Sequence, residues 1–432
     1  MKIILILLYI FLCINVTYSK NNKKKDSLLK VEPYIYSLNS INPNDSLNDL
    51  KILKQLIGEA SIVGMGEATH GTSEFFKIKH RVFRFLVEEM NFKVFAIEAS
   101  FGEANRINEY ILEGKGDLEK LIWGMGFWTW ATEEVRDMIT WMRMYNKNKK
   151  PEKQIKFYGF DMQYNQGSIE WLSSFIKKNI QQQNDLLLLI DKYKGIQFEN
   201  VKTPPNLIID TLNILKNKVI VLEDEIIKNS SIKEFELALK YIDVLIQDAH
   251  LEGLKIGQRF DQRDKDMAQN IEWIFQYEDN KKMLLWAHNG HITEMRHFRH
   301  AMGEHLHRRF KNDYYSIVFE FNYGQFNAIN YPDSANRNTL REFSLDQNSL
   351  TLGFLLSQFG YEYLLLNIKD MSNKNYLIKD KQNLHHIGAV FSENWIQLKN
   401  KPYLESKIKL KKYCDSIIFV NHISSTKMLN NY

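Results

Sequence analysis

The alternation of short apolar runs with longer helical patterns is the feature that most restricts the fold of this chain. Seven runs of four to six residues have the mainly apolar character of strands that are buried on both faces. They span residues 61–64, 93–97, 155–160, 283–287, 316–321, 363–366 and 416–420. Because helical periodicity separates them, the sequence predicts an α/β fold with a mainly parallel central sheet flanked by helices.

The first connection between these runs has the pattern of a helix between Thr72 and Met90. Its apolar side chains recur at spacings of three and four residues, which is the period of one helix face. They are Phe75, Ile78, Val82, Phe85 and Leu86. The first two predicted strands and this helix therefore form a βαβ unit.

A long segment between about residues 168 and 277 carries no strand signal. From Ile208 to Ile226 its apolar residues alternate at spacings of four and three, which indicates an amphipathic helix. Pro204 and Pro205 interrupt the helical pattern just before that stripe. We therefore expect a helical subdomain inserted between the third and fourth strands, and we assign the stripe to packing.

The first residues have the three-part form of a secretory signal peptide over residues 1–19. Lys2 precedes the apolar run 3–16, and Thr17 and Ser19 are the small residues before a cleavage site. No later run approaches the ~20 apolar residues that span a bilayer. We expect an exported protein, periplasmic or extracellular, without stable membrane insertion after cleavage; an uncleaved N-terminal anchor stays open as the alternative.

Composition narrows the classes of partner and site. The chain has 57 Lys and Arg against 52 Asp and Glu, and a net charge of +5 over 432 residues predicts no nucleic-acid partner. One of the two cysteines lies in the predicted signal peptide, so only Cys414 remains in the mature chain. Neither an intrachain disulfide nor a cysteine-based zinc site is then possible. Substrate recognition has to come from other motifs.

Ionisable side chains follow one predicted strand after another at its downstream end. The carboxyl ends of parallel strands meet at one edge of a sheet, where the ligand crevice lies. We therefore expect these groups to converge, although each one alone has an ordinary structural explanation as a helix cap or a hydrogen-bonded core residue. They are Glu67, His70, Glu98, Asp161, His288, His291 and Glu320.

Glu67 and His70 have the spacing of a general base and its orienting carboxylate. They lie three residues apart in a glycine-flanked turn between a predicted strand and a predicted helix. A carboxylate bound to one ring nitrogen fixes the tautomer and leaves the other nitrogen basic. The start of the helix offers N–H groups for a developing negative charge, and His288 and His291 would supply donors or acceptors from a facing loop.

Other catalytic or ligand motifs are absent or incomplete. There is no Walker sequence and no G-x-S-x-G elbow, and the glycines at 64 and 66 lack the rest of a dinucleotide fingerprint. A serine acyl-enzyme is therefore not expected. Arginines surround a set of residues that mimics a metal-binding face, so we interpret it as a solvated helix and expect no metal there. The set is His297, His300, Glu304 and His307.

Five motifs resemble those of the erythromycin esterase family. They are Gly66-Glu67-Ala68-Thr69-His70-Gly71-Thr72-x-Glu74-Phe75, Ala96-Ile97-Glu98-Ala99, Tyr158-Gly159-Phe160-Asp161-Met162-Gln163, Arg263-Asp264-x-x-Met267-Ala268-x-Asn270 and Trp286-Ala287-His288-Asn289-Gly290-His291. The resemblance covers most of the mature chain. It implies one catalytic domain over residues 30–430 with a parallel-sheet α/β fold.

The resemblance also implies an activity: a carboxylic ester hydrolase that opens the macrolactone of 14-membered macrolides and so confers antibiotic resistance. In it His70 would activate water without a metal or other cofactor, assisted by Glu67, Glu98 and His288. Lys79 is at the family's basic position on the first helix, with Arg81 nearby. The expected substrate contacts are His291, Lys79, Arg81, Asp161, Trp128 and Trp130.

Two other functions remain open from the residues alone. The clustered carboxylates and imidazoles are also ligand types for Zn²⁺ or Mn²⁺, so a metal-dependent hydrolase of another ester is the second enzyme hypothesis. A non-catalytic protein that binds a small molecule in the same cleft is the third.

Overall fold

The computed structural model describes residues 29–181, 183–198, 204–294, 300–331, 339–398 and 404–430. The predicted signal peptide at residues 1–19 and His297 lie outside these residues. Within them, twelve strands follow one another along the chain. They are β1 (Ile35–Ser37), β2 (Ile62–Met65), β3 (Val94–Ser100), β4 (Lys156–Asp161), β5 (Met283–Trp286), β6 (Tyr314–Asn330), β7 (Leu340–Leu345), β8 (Tyr363–Asn367), β9 (Gln382–His385), β10 (Val390–Phe391), β11 (Glu405–Ile408) and β12 (Ser416–Ile423).

Ten of these strands form one sheet, in the order β1-β8-β12-β6-β2-β5-β3-β4 with β7 and β10 on β6. The pairs from β12 to β4 are all parallel. The edge is different, because β8 runs antiparallel to both β12 and β1. The predicted α/β fold with a mainly parallel sheet is thus confirmed, and all seven predicted runs overlap strands. The run at 363–366 is the one that pairs antiparallel.

Helices connect the strands and cover both faces of the sheet. In the described part of the chain they are α1 (Ile52–Ile57), α2 (Ser73–Met90), α3 (Phe101–Glu113), α4 (Leu118–Trp123), α5 (Glu133–Asn146), α6 (Gln166–Asn179), α7 (Asn184–Phe198), α8 (Pro205–Val221), α9 (Glu223–Asn229), α10 (Ile232–Glu252), α11 (Ile256–Tyr277), α12 (Asn289–Ile292), α13 (Met302–Phe310), α14 (Leu352–Ser357) and α15 (Tyr376–Lys379). None of them has the length and apolar content needed to cross a membrane.

The helices α6 to α11 form one face layer of the sheet. Leu212 of α8, Leu245 of α10 and Ile271 of α11 are buried in the same apolar cluster as Val94 and Leu285 of the strands. Burying such side chains on a sheet face contributes roughly 1.5–3 kcal/mol for each one. The helical segment predicted between about 168 and 277 is therefore part of the core of the molecule. The apolar stripe that begins at Ile208 supplies this packing.

The register of the central strands brings their carboxyl ends together. Trp286 at the end of β5 is opposite Met65 of β2 on one side and Ile97 of β3 on the other. Glu98 near the end of β3, and Glu67 and His288 just after β2 and β5, therefore come to one edge of the sheet. Parallel pairing, and not sequence proximity, determines this convergence.

Candidate active site

The turn after β2 holds a carboxylate against an imidazole. His70 Nδ1 lies 2.7 Å from Glu67 Oε1. The Glu67 side chain has no solvent exposure, whereas 12% of the His70 side chain is exposed. A ring nitrogen bound to a carboxylate carries the hydrogen and donates it. The other nitrogen, Nε2, is then the basic one, so His70 has the form required of a general base.

The second oxygen of Glu67 accepts hydrogen bonds from two buried donors. Lys79 Nζ lies 2.5 Å and Trp286 Nε1 lies 2.7 Å from Oε2. Burial lowers the pKa of Lys79 to about 8, although Glu67 and Glu98 act to raise it. The ammonium also lies 4.3 Å from the centre of the Trp286 ring. These contacts leave Glu67 no freedom to turn away from His70.

A close backbone approach fixes the position of this turn. A Cβ on Gly66 would lie 2.1 Å from Asn289 Oδ1, so no larger residue fits at that position. The Asn289 amide donates to the Glu67 carbonyl over 2.9 Å, and its side chain also bonds the backbone of Phe319. The turn that carries Glu67 and the loop after β5 therefore form one rigid unit.

A second group of charges lies beside the first. Arg263 Nη2 lies 2.8 Å from Glu98 Oε1 and 2.7 Å from Asp161 Oδ2, and Arg263 Nε donates to Asp161 Oδ1 over 3.0 Å. Burial alone would raise the pKa of Glu98. The nearby His291, Arg263 and His70 outweigh burial and bring this pKa well below its usual value. Glu98 is accordingly ionised at neutral pH.

His291 lies between two carboxylates. Its Nδ1 is 2.6 Å from Asp264 Oδ1, and its Nε2 is 3.2 Å from Glu98 Oε1, the same oxygen that Arg263 binds. Burial lowers the pKa of His291, but Asp264 and Glu98 outweigh burial and raise the pKa to about 9. His291 is therefore an imidazolium at neutral pH and contributes positive charge to the site.

His288 has both ring nitrogens bound to the protein backbone. The Gly290 amide donates to Nδ1 over 3.0 Å, so the hydrogen is on Nε2, which lies 3.0 Å from the Ile387 carbonyl oxygen. Burial, together with His386 and His70, lowers the pKa of His288 well below its usual value. The ring is neutral, and its one N–H hydrogen is bonded to the Ile387 carbonyl. In this arrangement His288 therefore has no free hydrogen for the expected donation to a substrate oxyanion.

Three groups that the sequence placed at the site have other partners in the structure. Arg81 is not brought to the cluster, because its guanidinium pairs with Asp49 and the Ser46 carbonyl. The amide of Ser73 at the start of α2 donates to Ser424, so this N–H is not available to a substrate. Glu320 lies in β6 and binds His385 instead of the other predicted groups.

The two predicted aromatic contacts differ in depth. Trp130 is buried, and its ring lies edge-on to His70 with 6.5 Å between the ring centres. Trp128 is partly exposed. The indole nitrogens of both are buried without a hydrogen-bond partner. Trp130 thus forms an apolar wall behind His70.

The charges around His70 nearly balance. Four carboxylates, from Glu67, Glu98, Asp161 and Asp264, stand against the three cations Lys79, Arg263 and His291. A proton taken up by His70 would make the group neutral.

A model of the family described as erythromycin esterase matches residues 87–423. The chain belongs to the erythromycin esterase family. "Erythromycin esterase type II" of Escherichia coli is 26% identical over 326 residues, which cover 68% of this chain and 76% of that relative. The predicted family resemblance is thereby confirmed, and membership supports a hydrolase role.

Two solved structures show the same fold. A Bacillus cereus protein of 22% identity has a TM-score of 0.81, and the match covers 94% of this chain and 99% of that one. A mutant erythromycin esterase in its open conformation has a TM-score of 0.69 at 16% identity, with 92% and 100% of the chains covered. At these identities the likeness concerns the fold alone.

Sequence reasoning missed several residues that this family member's site uses. Arg263 and Asp264 appeared only as part of a motif in the predicted helical subdomain, yet they bind Glu98 and His291. Trp286 was counted as a strand residue, and its indole N–H binds Glu67. Adjacent unlike charges on a helix of mixed composition were the one available signal for the first two. A strand tryptophan carries no such signal.

Proposed function

We propose that this protein is a carboxylic ester hydrolase that opens the lactone ring of 14-membered, erythromycin-like macrolides and thereby confers macrolide resistance. The observation that carries the proposal is the 2.7 Å contact between His70 Nδ1 and the buried carboxylate of Glu67. Family membership supports hydrolysis. The macrolide as substrate is taken from the name of the Escherichia coli relative.

The reaction needs only water and the substrate ester. His70 Nε2 takes a proton from water while the water oxygen attacks the lactone carbonyl carbon. The bond from that carbon to the ring oxygen breaks, and the imidazolium of His70 returns the proton to the alkoxide. The products are a carboxylic acid, which releases its proton to solvent and becomes a carboxylate, and an alcohol in one opened chain, without a covalent enzyme intermediate. His291, Asp161, Trp128 and Trp130 would contact the substrate, and Lys79 acts through Glu67.

We infer that the reaction is independent of a metal. Glu67 is saturated by Lys79, Trp286 and His70, and both nitrogens of His288 are bound to backbone. In the described ranges no three acidic, histidine or cysteine side chains form a group suited to a metal ion. Activity should survive exhaustive chelation with EDTA. Loss of turnover that added Zn²⁺ or Mn²⁺ restores would overturn this part.

The substrate is tested by incubating the enzyme with erythromycin, with macrolides of other ring sizes and with unrelated esters. The expected result is a mass gain of one water on the 14-membered macrolides only, absent with the His70→Ala variant. If the enzyme hydrolysed only another ester, the proposed esterase activity would stand and the proposed macrolide substrate would be wrong. Binding of erythromycin without turnover, equal in both proteins, would favour a non-catalytic binding protein.

We also propose that the protein is exported, which would bring the enzyme into contact with an incoming antibiotic. The support is the leader pattern at residues 1–19. Cell fractionation and N-terminal sequencing of the mature protein are the test. A cytoplasmic protein that retains Met1 or its neighbours would contradict export, and a membrane-bound full-length chain would favour the uncleaved anchor.

A further inference from the structure

The backbone of Ile387 connects the two loops that carry His70 and His288. Its amide donates to the carbonyl of Ala68, in the turn between Glu67 and His70, over 2.8 Å. Its carbonyl oxygen lies 3.0 Å from Nε2 of His288 and accepts the one hydrogen of that ring. Ile387 itself has no solvent exposure. The position of this one residue therefore affects both the general-base turn and the tautomer of His288.

The segment just before Ile387 belongs to a different sheet from the strands of the site. β9 pairs with β11 in a two-stranded sheet, and the chain next pairs with β6 at β10. On the downstream side of Ile387, the Ala389 carbonyl accepts the Ile329 amide of β6 over 2.9 Å. On the upstream side, two side chains make the connection to β6. They are Glu320 and His385.

Glu320 of β6 binds His385 at two points. Oε1 lies 2.5 Å from His385 Nδ1, and Oε2 accepts the His385 amide over 2.9 Å. Oε1 also accepts the Phe321 amide over 2.8 Å, and the His385 ring stacks on Phe321 with 4.1 Å between ring centres. The Glu320 side chain has no solvent exposure and that of His385 has 3%. These contacts fix the ring and the backbone of His385 relative to β6, two residues before Ile387.

The pair of Glu320 and His385 contributes direction more than packing. Burying a carboxylate costs free energy of desolvation, which its hydrogen-bond donors offset. Two apolar side chains of similar size would fill the same space without that cost. Hydrogen bonds are directional, and a fully bonded buried network holds its members in one arrangement. The specific effect of the pair is therefore the position of His385 and, through the backbone, of Ile387.

We propose that Glu320 and His385 are positioning residues of the esterase site, which hold Ile387 where its backbone fixes both the general-base turn and the Nε2–H tautomer of His288. The inference rests on the proposed esterase function. The ring centres of His288 and His70 are 4.9 Å apart, so a shift of Ile387 would displace groups next to the general base. A displacement of about 1 Å at such a place lowers turnover on the order of 100-fold.

The kinetic experiment compares three variants with the wild type on erythromycin or on the ester that the wild type hydrolyses fastest. His385→Leu has no side-chain donor and should lower kcat about 100-fold with KM nearly unchanged. In His385→Asn the amide nitrogen lies as many bonds from Cα as Nδ1 of histidine does. It therefore donates to Glu320 Oε1, and most of the lost kcat should return.

The double variant Glu320→Leu/His385→Leu separates positioning from stability. It removes the carboxylate that His385→Leu leaves without its ring partner, so it should resist urea better than that single variant. Its kcat should nevertheless stay as low, because the directional bonds to residue 385 are still missing.

A spectroscopic readout follows the hydrogen on His288 without any substrate. Histidine-ring NMR of protein labelled at the ring nitrogens should place this hydrogen on Nε2 in the wild type and in His385→Asn, with the signal assigned by its loss in His288→Gln. His385→Leu and the double variant should show exchange between the two tautomers instead. His80→Leu is the matched control, since His80 is a buried histidine of α2 that packs against Trp141. Its kcat and its His288 signal should stay at the wild-type level.

Several results would overturn the inference. One is an unchanged kcat in His385→Leu, and another is an unchanged His288 signal in a variant that has lost activity. Equal loss in the Leu and Asn variants, or a double variant that regains kcat together with stability, would assign the pair to the fold alone. A wild type that hydrolyses no ester would show the proposed function to be wrong, and the His288 signal would then decide the positioning by itself.

Discussion

Glu67 and Lys79 form an ion pair in which neither side chain has any solvent exposure, with 2.5 Å between Oε2 and Nζ. A buried carboxylate without a partner would take up a proton or turn toward solvent. Lys79 is the partner of Oε2, and Oε1 faces His70. The ammonium on α2 therefore helps to orient an imidazole that it does not touch.

Removing this ammonium should affect both stability and turnover. Lys79→Met leaves the Glu67 carboxylate buried and unpaired, so we expect the free energy of unfolding to fall by about 3–5 kcal/mol and kcat to fall with it. Urea denaturation and steady-state kinetics measure the two effects. Lys54→Met is the matched control, since its pair with Glu89 lies on the surface and should contribute little to stability. Equal effects of the two substitutions would contradict this reading of the pair.

Neutralising Glu67 should act mainly on kcat. Glu67→Gln keeps the shape of the side chain but presents a weaker acceptor to His70 Nδ1–H, so the ring loses its fixed tautomer and orientation. We expect kcat to fall about 100- to 10,000-fold with KM changed only slightly. Glu278→Gln alters a buried carboxylate that binds Tyr158 instead, and its kcat should stay at the wild-type level. A Glu67→Gln enzyme that turned over normally would refute the orienting role.

Substitution of Arg263 should affect both stability and activity, whereas substitution of Arg81 should affect stability alone. Arg263→Gln removes the cation shared by Glu98 and Asp161, whereas Arg81→Gln removes the partner of Asp49. Each breaks a buried pair, so each should lower the free energy of unfolding by about 3–5 kcal/mol. Only Arg263→Gln should also lower kcat/KM. If the Arg81→Gln variant lost kcat/KM at a temperature where the variant remains folded, Arg81 would be a substrate-site residue after all.

His291 should make the protein less stable as the pH rises above neutrality. Its pKa is raised from 6.5 to about 9 in the folded state, so its stabilisation is complete below 6.5 and is lost as the pH rises through about 9. Between pH 6.5 and 8 the loss should reach about 2 kcal/mol. Urea unfolding of wild type and His291→Asn over this interval measures it, because the variant lacks the group. Parallel pH curves for the two proteins would contradict the raised pKa.

The pattern of short buried runs was sufficient to predict the central sheet. A strand that is buried on both faces must be apolar along its whole length, and this requirement is local, so β2 to β6 and β12 were predicted from their own residues. The strands not predicted include β1, β7 and β10, which are short or lie off the main order of the sheet. Such strands are held by their neighbours and need no apolar run of their own.

The candidate site, like the sheet, was predicted from the sequence only in part. Glu67, Glu98 and His288 each lie at or just beyond the carboxyl end of a parallel strand, so strand direction predicted that they meet at one edge. Lys79 and Arg81 were not separable, because both are basic residues on the first helix. Two residues apart on a helix, they point in different directions, and packing turned Lys79 toward Glu67 and Arg81 toward Asp49.

The sequence by itself determined seven of the strands, the mainly parallel direction of the central sheet and the edge at which the acids and imidazoles gather, because each of these follows from local periodicity and from strand direction. Tertiary structure alone decided which group contacts which: Arg263 with Glu98, Asp264 with His291, and Ile387 with His288. Hydrogen bonds and ion pairs depend on differences of about 1 Å in distance, and those differences arise only when distant segments pack together.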